Sequence, residues 1–152
     1  MERVGAMANN CVFLMRISGD QASVDEFIKV VENDYHYNED GRYQGTFDRH
    51  LSRIFSNEVI GYENDKFGIC TAELVGDCAW SVYSCMTEGG YYSRRFLKEY
   101  RERSHATTLK LETGRLGLRI EVHSEEPGIG FKEHFLYDKG EEIINECLDI
   151  EC

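Results

Sequence analysis

The stretch that decides the fold is Leu118–Cys147, LRIEVHSEEPGIGFKEHFLYDKGEEIINEC. Apolar and polar residues alternate over Leu118–His123, which is the period of a strand with one buried face and one wet face. The proline and two glycines of residues 125–130 favour a wide turn, and Asp138–Gly140 predicts a three-residue hairpin loop. The stretch therefore predicts three consecutive antiparallel strands.

One strand and two helices are predicted on either side of the central region. Val12–Ile17 is a short apolar run that predicts a central strand, and an amphipathic helix follows it. Ser23 as N-cap and Glu26 three residues later form a capping box for that helix. A later helix is predicted over Thr107–Leu116, because glycine follows at the position where a helix commonly ends.

The central region predicts three neighbouring strands, at His50–Ile60, Phe67–Val75 and Cys78–Met86. Residues 33–45 are polar and aromatic, and we expect a mobile excursion there. The order of these elements predicts an α+β fold of the ferredoxin-like, split βαβ type. It comprises one antiparallel sheet with two helices on one face, plus an extra C-terminal β-hairpin. If the other face of the sheet is exposed, a partner would bind there.

Length and composition indicate a single domain. The chain has 152 residues, of which 41% are hydrophobic, and it contains one proline. We expect residues 7–152 to form this ferredoxin-like domain with its polar excursion, and residues 1–6 to be a disordered tail, an upstream start or a remnant of expression. No apolar run is long enough to span a membrane and no signal peptide is visible, so a cytoplasmic location is expected.

Cysteine spacing favours free thiols over a disulfide framework or a zinc site. The six cysteines contain no Cys-x-x-Cys pair, and three of them lie in apolar, strand-like runs. In a cytosolic protein, this pattern predicts reduced and mostly buried thiols.

Acidic residues dominate the charge. There are 28 acidic and 17 basic residues, and the formal net charge is −11. Such a chain repels phosphate backbones and attracts basic surfaces, so direct DNA binding is not expected. Carboxylates are concentrated in the terminal hairpin, where they could occupy a cationic groove of a partner. The candidate partner-binding residues are Glu121, Glu125, Glu126, Glu133, Asp138, Glu141, Glu142 and Glu146.

Two segments carry a family resemblance: GDCAWSVYSCM (Gly76–Met86) and EEPGIGFKEHFLYDKGE (Glu125–Glu141). In these segments the chain resembles the YubB-type ferredoxin-like family of small proteins from phages, plasmids and conjugative elements. The resemblance implies a ferredoxin-like fold and an origin in a mobile genetic element. The family offers no established activity or catalytic residues to carry over.

The leading interpretation is a non-enzymatic, acidic protein-binding module in the cytoplasm of a bacterial host. It would compete with nucleic acid for the basic surface of a nucleic-acid-handling protein. An anti-CRISPR inhibitor that binds a CRISPR effector would act in this way. No catalytic residue and no cofactor is assigned, and the partner's identity and the oligomeric state are left open.

Two alternatives come from other functional classes. The first is an RNA-binding ferredoxin-like module that uses a basic helix over 93–103, with Arg94, Arg95, Lys98 and Arg101 as contacts. The second is a small metal-dependent or thiol enzyme. For that alternative, His123 and His134 should face each other near the wide turn, although solvated strand-edge histidines explain the same pattern and no metal is assigned.

Overall fold

A six-stranded antiparallel sheet forms the centre of the computed structural model, which describes residues 10–89 and 105–149. Its elements in chain order are β1 (Asn10–Asp20), α1 (Gln21–Glu32), β2 (His36–Tyr37), β3 (Tyr43–Gln44), β4 (Ile54–Asn64), β5 (Ile69–Ala79), α2 (Val82–Met86), α3 (Leu109–Leu116), β6 (Arg119–Glu126), β7 (Phe131–Asp138) and β8 (Glu141–Asp149). The strand order is β4-β5-β1-β6-β7-β8, and β2 pairs with β3 in a separate small sheet. The α+β class and the antiparallel sheet predicted from sequence are confirmed.

The two faces of the sheet differ sharply in burial. Along β1, Phe13 and Met15 are almost fully buried, whereas Val12 and Leu14 are 54% and 40% exposed. α1, α2 and α3 contribute residues to the same core as the buried side of the strands. The helices therefore cover one face of the sheet and leave these positions of the other face open.

The N-cap of α1 lies three residues before the predicted one. Asp20 is the N-cap, and its carboxylate accepts hydrogen bonds from the backbone N–H and the hydroxyl of Ser23 at 3.1 and 2.8 Å. Ser23 itself lies inside the helix, so the predicted capping box was wrong. Asp is as good an N-cap as Ser, and the preceding strand runs to Asp20 without a loop.

The three predicted C-terminal strands are confirmed, but the second loop is one residue shorter than predicted. Asp138 pairs with Glu141 across the hairpin, so only Lys139 and Gly140 form the loop. Their φ angles are 50° and 88°, as a two-residue type I′ turn requires at both positions. The predicted three-residue loop was therefore wrong.

The third predicted central strand is also wrong. β5 ends at Ala79, and Trp80 adopts a φ of 66°, which turns the chain out of the sheet. The side chain of Ser81 then accepts a hydrogen bond from Ser84 N at 2.9 Å and caps α2. The apolar run over Cys78–Met86 is buried as a strand end and a short helix, because apolar content alone does not distinguish the two.

The sequence predicted a mobile polar excursion over residues 33–45, and the structure has a short hairpin there, formed by β2 and β3. Gly41 takes a φ of 75° at its turn. Asn33 anchors the base: its amide donates to the Arg49 carbonyl at 2.7 Å, and its carbonyl accepts from Thr46 N at 3.0 Å. Tyr43 stacks on His105, with ring centroids 4.1 Å apart.

A buried ion pair connects this region to the helices. Glu112 on α3 is fully buried and receives Arg49 Nε at 2.8 Å and the Thr107 hydroxyl at 2.6 Å. Arg49 also contacts Glu26 of α1 at 2.6 Å. Because a buried carboxylate requires such partners, this set ties α1 to α3 above the sheet.

Four cysteines of the described ranges, Cys11, Cys70, Cys78 and Cys85, are buried thiols, as the spacing predicted, and Cys147 is exposed. Cys11 and Cys78 are cross-strand neighbours in the register of β1 and β5. No helix in these ranges has the length and apolar character needed to cross a membrane. The tail at residues 1–6 and the basic helix predicted at 93–103 lie outside the described residues.

We expect Asp20→Ala to lower the melting temperature more at pH 7 than at a pH low enough to protonate Asp20 in the folded state. The hydrogen bonds from the Ser23 side chain and backbone lower the pKa of Asp20 below its usual range. Its stabilisation is therefore complete well above the ordinary Asp pKa of about 3.9 and is lost as the pH falls through the lower folded-state value. Thermal unfolding followed by circular dichroism tests this, with Asp20→Asn as the control that keeps a neutral cap. Equal destabilisation by Asp20→Ala at both pH values would contradict it.

Candidate functional site

The side of the sheet opposite the described helices, which we call the open face, contains a shallow cavity of about 720 Å³. Val12, Leu14 and Val75 form an apolar floor on β1 and β5, and Leu148 of β8 lines the far end of the cavity, beyond Glu125 and Lys132. Val12 and Leu14 belong to the central strand, whose alternation places their neighbours in the core. The floor is therefore a direct result of the one-sided burial.

Carboxylates surround this floor. The cross-strand registers of the sheet place nine acids on the open face, against three cations. The acids are Glu58, Glu63, Glu73, Asp77, Glu121, Glu125, Asp138, Glu141 and Glu146, and the cations are Arg16, Arg119 and Lys132. The open face is thus a strongly acidic surface with an apolar centre.

The sequence-predicted acids of the terminal hairpin divide between three environments. Five of them lie on the open face, namely Glu121, Glu125, Asp138, Glu141 and Glu146. Glu142 pairs with the buried Tyr137 and accepts its hydroxyl at 2.8 Å, so it belongs to the helix side. Burial and this hydrogen bond raise the pKa of Tyr137. Glu126 and Glu133 are 2% and 4% exposed and do not contribute to an exposed acidic surface.

Glu133 is part of the core. Its carboxylate accepts the backbone N–H groups of Val82 and Tyr83, at 2.8 and 3.0 Å, at the start of α2. The hydroxyl of Ser124 donates to the same group at 2.7 Å. These donors compensate the burial of the carboxylate and fix α2 against β7.

Glu126 stabilises the wide turn rather than facing a partner. Its carboxylate accepts the backbone N–H of Gly128 at 2.8 Å and that of Ile129 at 2.5 Å. The turn closes through Gly130, whose φ of 96° favours glycine. The predicted turn is confirmed, and its own backbone uses the carboxylate that we assigned to binding.

His123 and His134 meet on the open face, as predicted. They are directly paired across β6 and β7, and their rings stack with centroids 4.1 Å apart. Glu121 Oε2 lies 2.6 Å from His134 Nε2 and 3.6 Å from His123 Nε2. The hydrogen bond from His134 lowers the pKa of Glu121 below its usual range. Glu146 Oε1 lies 3.7 Å from His134 Nδ1 on the other side of the ring.

Sequence reasoning missed the acids that β4 and β5 add to the open face. They are Glu58, Glu63, Glu73 and Asp77. The signal was present, because Glu73 and Asp77 alternate with the buried Leu74 and Cys78 along β5. The terminal hairpin has the higher density of acids, whereas these four are spread along two longer strands.

The predicted RNA contacts cannot be placed, since Arg94, Arg95, Lys98 and Arg101 all fall in the undescribed segment 90–104. The nine acids, three cations and four apolar residues of the open face include no Phe, Tyr or Trp. Single-stranded nucleic acid is usually held by stacked aromatic rings and a positive groove. The open face offers the stacked rings of His123 and His134 but, with nine acids against three cations among its described residues, no positive groove.

We expect Glu133→Gln to lower the free energy of unfolding by on the order of 2 kcal/mol, because an amide cannot accept from all of the donors around this position. Glu125→Gln, one strand away on the exposed side, is the matched control and should change little. Urea unfolding with an unchanged m-value measures both. Equal stability of the two variants would show that the Glu133 contacts do not support the core.

The chain was compared with protein-family models, with curated proteins and with solved structures, and none of the three comparisons found a match. Its function must therefore be inferred from its own geometry.

Proposed function

We propose that the fold is ferredoxin-like, with β7 and β8 as a C-terminal extension. The support is the order β4-β5-β1-β6 within the larger sheet, in which every neighbouring pair is antiparallel. α1 lies between β1 and β4 in the chain, and α3 directly precedes β6. This is the β-α-β-β-α-β order of a split βαβ fold, with β5 separating the parallel strands β1 and β4.

We propose that the protein is a non-enzymatic binding module of a mobile genetic element, and that it acts in the bacterial cytoplasm. Its open face would dock on the basic surface of a nucleic-acid-handling protein and exclude nucleic acid from it, as anti-CRISPR proteins do with their effectors. The observation that carries this proposal is that nine carboxylates and only three cations surround the exposed apolar floor.

The two components of the open face would have separate roles. Burial of the floor around Val12 and Leu14, and of Leu148, supplies a favourable free energy that depends little on salt. The surrounding carboxylates would steer a cationic partner into contact, raising the association rate and selecting against acidic surfaces. Complementary charge at the rim with an apolar centre is the usual anatomy of a protein interface.

The size of the open face suits such an interface. Six strands at a spacing of about 4.8 Å span about 24 Å, and an eight-residue strand is about 26 Å long. The resulting area of about 600 Å² is slightly below the roughly 800 Å² that each partner contributes to a standard interface. The sheet face and its immediate rim would therefore be occupied almost entirely by one partner.

Nucleic acid is a poorer ligand for this face than a basic protein. Phosphate groups would meet the nine carboxylates, and the three cations are each next to an acid in the cross-strand register: Arg16 beside Glu73, Arg119 beside Asp138 and Lys132 beside Glu125. The RNA-binding alternative depends on the basic residues of 93–103 and becomes an outcome of the test below.

The proposal is tested by capturing partners of the tagged protein from bacterial lysate that contains nucleic-acid-guided nucleases, with protein and RNA both identified. We expect a basic nuclease that is released by high salt and displaced by its own guide RNA. With that partner purified, Glu58→Gln, Glu73→Gln and Glu125→Gln together should weaken binding at least about tenfold, mainly through the association rate.

The matched control is Glu32→Gln, Glu39→Gln and Asp40→Asn, which changes the net charge equally at exposed positions outside the sheet face. The control should bind like the unaltered protein. Equal weakening by both triple variants would mean that net charge alone drives association, and the open face would not be the interface. Recovery of RNA without a basic protein would contradict the proposal and favour RNA binding by the basic residues of 93–103.

A further inference from the structure

We propose that Glu121, His123 and His134 form a binding site for one divalent transition-metal ion on the open face. One oxygen of Glu121 and one nitrogen of each histidine all lie within 4.8 Å of one another. Within 10–89 and 105–149 this is the one group of three such donors that comes together. The inference does not depend on the proposed protein partner.

The backbone of two paired strands fixes the positions of the three side chains. Glu121 and His123 are two residues apart on β6, so the alternation of the strand points both to the open face. His134 is the direct cross-strand partner of His123 on β7. Because hydrogen-bonded strands hold the backbone of these residues in place, less conformational entropy is lost when their side chains bind an ion.

A coordination sphere would require His123 to turn out of its stack on His134, so that the two nitrogen lone pairs converge, together with two changes in distance. Two ligands at about 2.05 Å from a tetrahedral ion are about 3.3 Å apart. The Glu121–His134 separation of 2.6 Å would have to open slightly, and the Glu121–His123 separation of 3.6 Å would have to close slightly. His123 can adjust because its side chain is 57% exposed, whereas His134, at 26%, is held more firmly.

Glu146 orients the site from outside it. Its carboxylate lies 3.7 Å from Nδ1 of His134, whereas Glu121 lies 2.6 Å from Nε2 and accepts a hydrogen bond there. An ion bound at Nε2 would leave the ring proton on Nδ1, where Glu146 is the neighbouring acceptor. A carboxylate behind a ligating histidine is a common outer partner in metal sites. This second contact distinguishes His134 from a histidine that merely pairs with one neighbouring acid.

The donor set selects the class of metal. Two imidazole nitrogens and one carboxylate suit zinc, iron, cobalt, nickel or copper, whereas magnesium and calcium prefer sites made of oxygen alone. Three protein ligands leave at least one coordination position for water or another ligand. Because His123 and His134 also line the cavity, that position would open towards the apolar floor.

Isothermal titration of the full chain with Zn²⁺ at pH 7.5 tests the site, after chelator treatment and with Cys147→Ser and Cys152→Ser to remove competing thiols. We expect one equivalent of Zn²⁺ to bind and Mg²⁺ not to bind. His123→Gln, His134→Gln and Glu121→Gln should each weaken Zn²⁺ at least about tenfold, the lower end of what even an outer partner costs. His36→Gln, an exposed histidine on β2, is the control and should leave the affinity unchanged.

A second measurement needs no substitution at the site. Addition of Co²⁺ should broaden the ring proton signals of His123 and His134 in NMR spectra before those of His36. Absence of stoichiometric Zn²⁺ binding would overturn the proposal, and so would equal affinity of a folded His123→Gln/His134→Gln double variant. Circular dichroism establishes that the variants are folded.

Discussion

The pairing of β1 along both of its edges is the constraint on which the rest of the structure depends. β1 is hydrogen-bonded to β5 on one side and to β6 on the other, in continuous antiparallel registers. Because side chains alternate with a period of two, a slip of one residue would exchange Phe13 and Met15 with Val12 and Leu14. The core, the apolar floor, the acidic rim and the His123–His134 pair all follow from that one register.

Local patterns predicted much of this architecture. Alternation predicted β6, and a short apolar run predicted β1. The turn chemistry of residues 125–130 predicted β7 as the return strand and with it the cross-strand meeting of His123 and His134. The break at Trp80 was not predictable, because it depends on a positive φ at a residue that normally avoids one. The position of the α1 cap was ambiguous for another reason: Asp20 and Ser23 are both good caps, and only the length of β1 decides between them.

The largest error in reading the site concerns carboxylates that the fold uses for itself. In sequence, Glu126 and Glu133 are indistinguishable from Glu125, yet two of the three are buried. Glu125 lies on the open face, Glu126 binds the backbone of its own turn, and Glu133 binds the start of α2. Which acids are available to a ligand depends on where unpaired backbone N–H groups end up, and that is a property of the tertiary structure.

Among the described residues the sheet is not closed, and no strand of 10–89 or 105–149 pairs with the outer side of β4 or β8. Such edges can recruit a strand from another molecule and seed fibrils. Here both edge strands are irregular, with register shifts at Val59/Gly61 of β4 and opposite Leu136/Tyr137 in β8. Glu141, Glu142 and Glu146 also make β8 repel its own copy. The same charges that would attract a cationic partner therefore oppose polymerisation of the protein through its outermost strand.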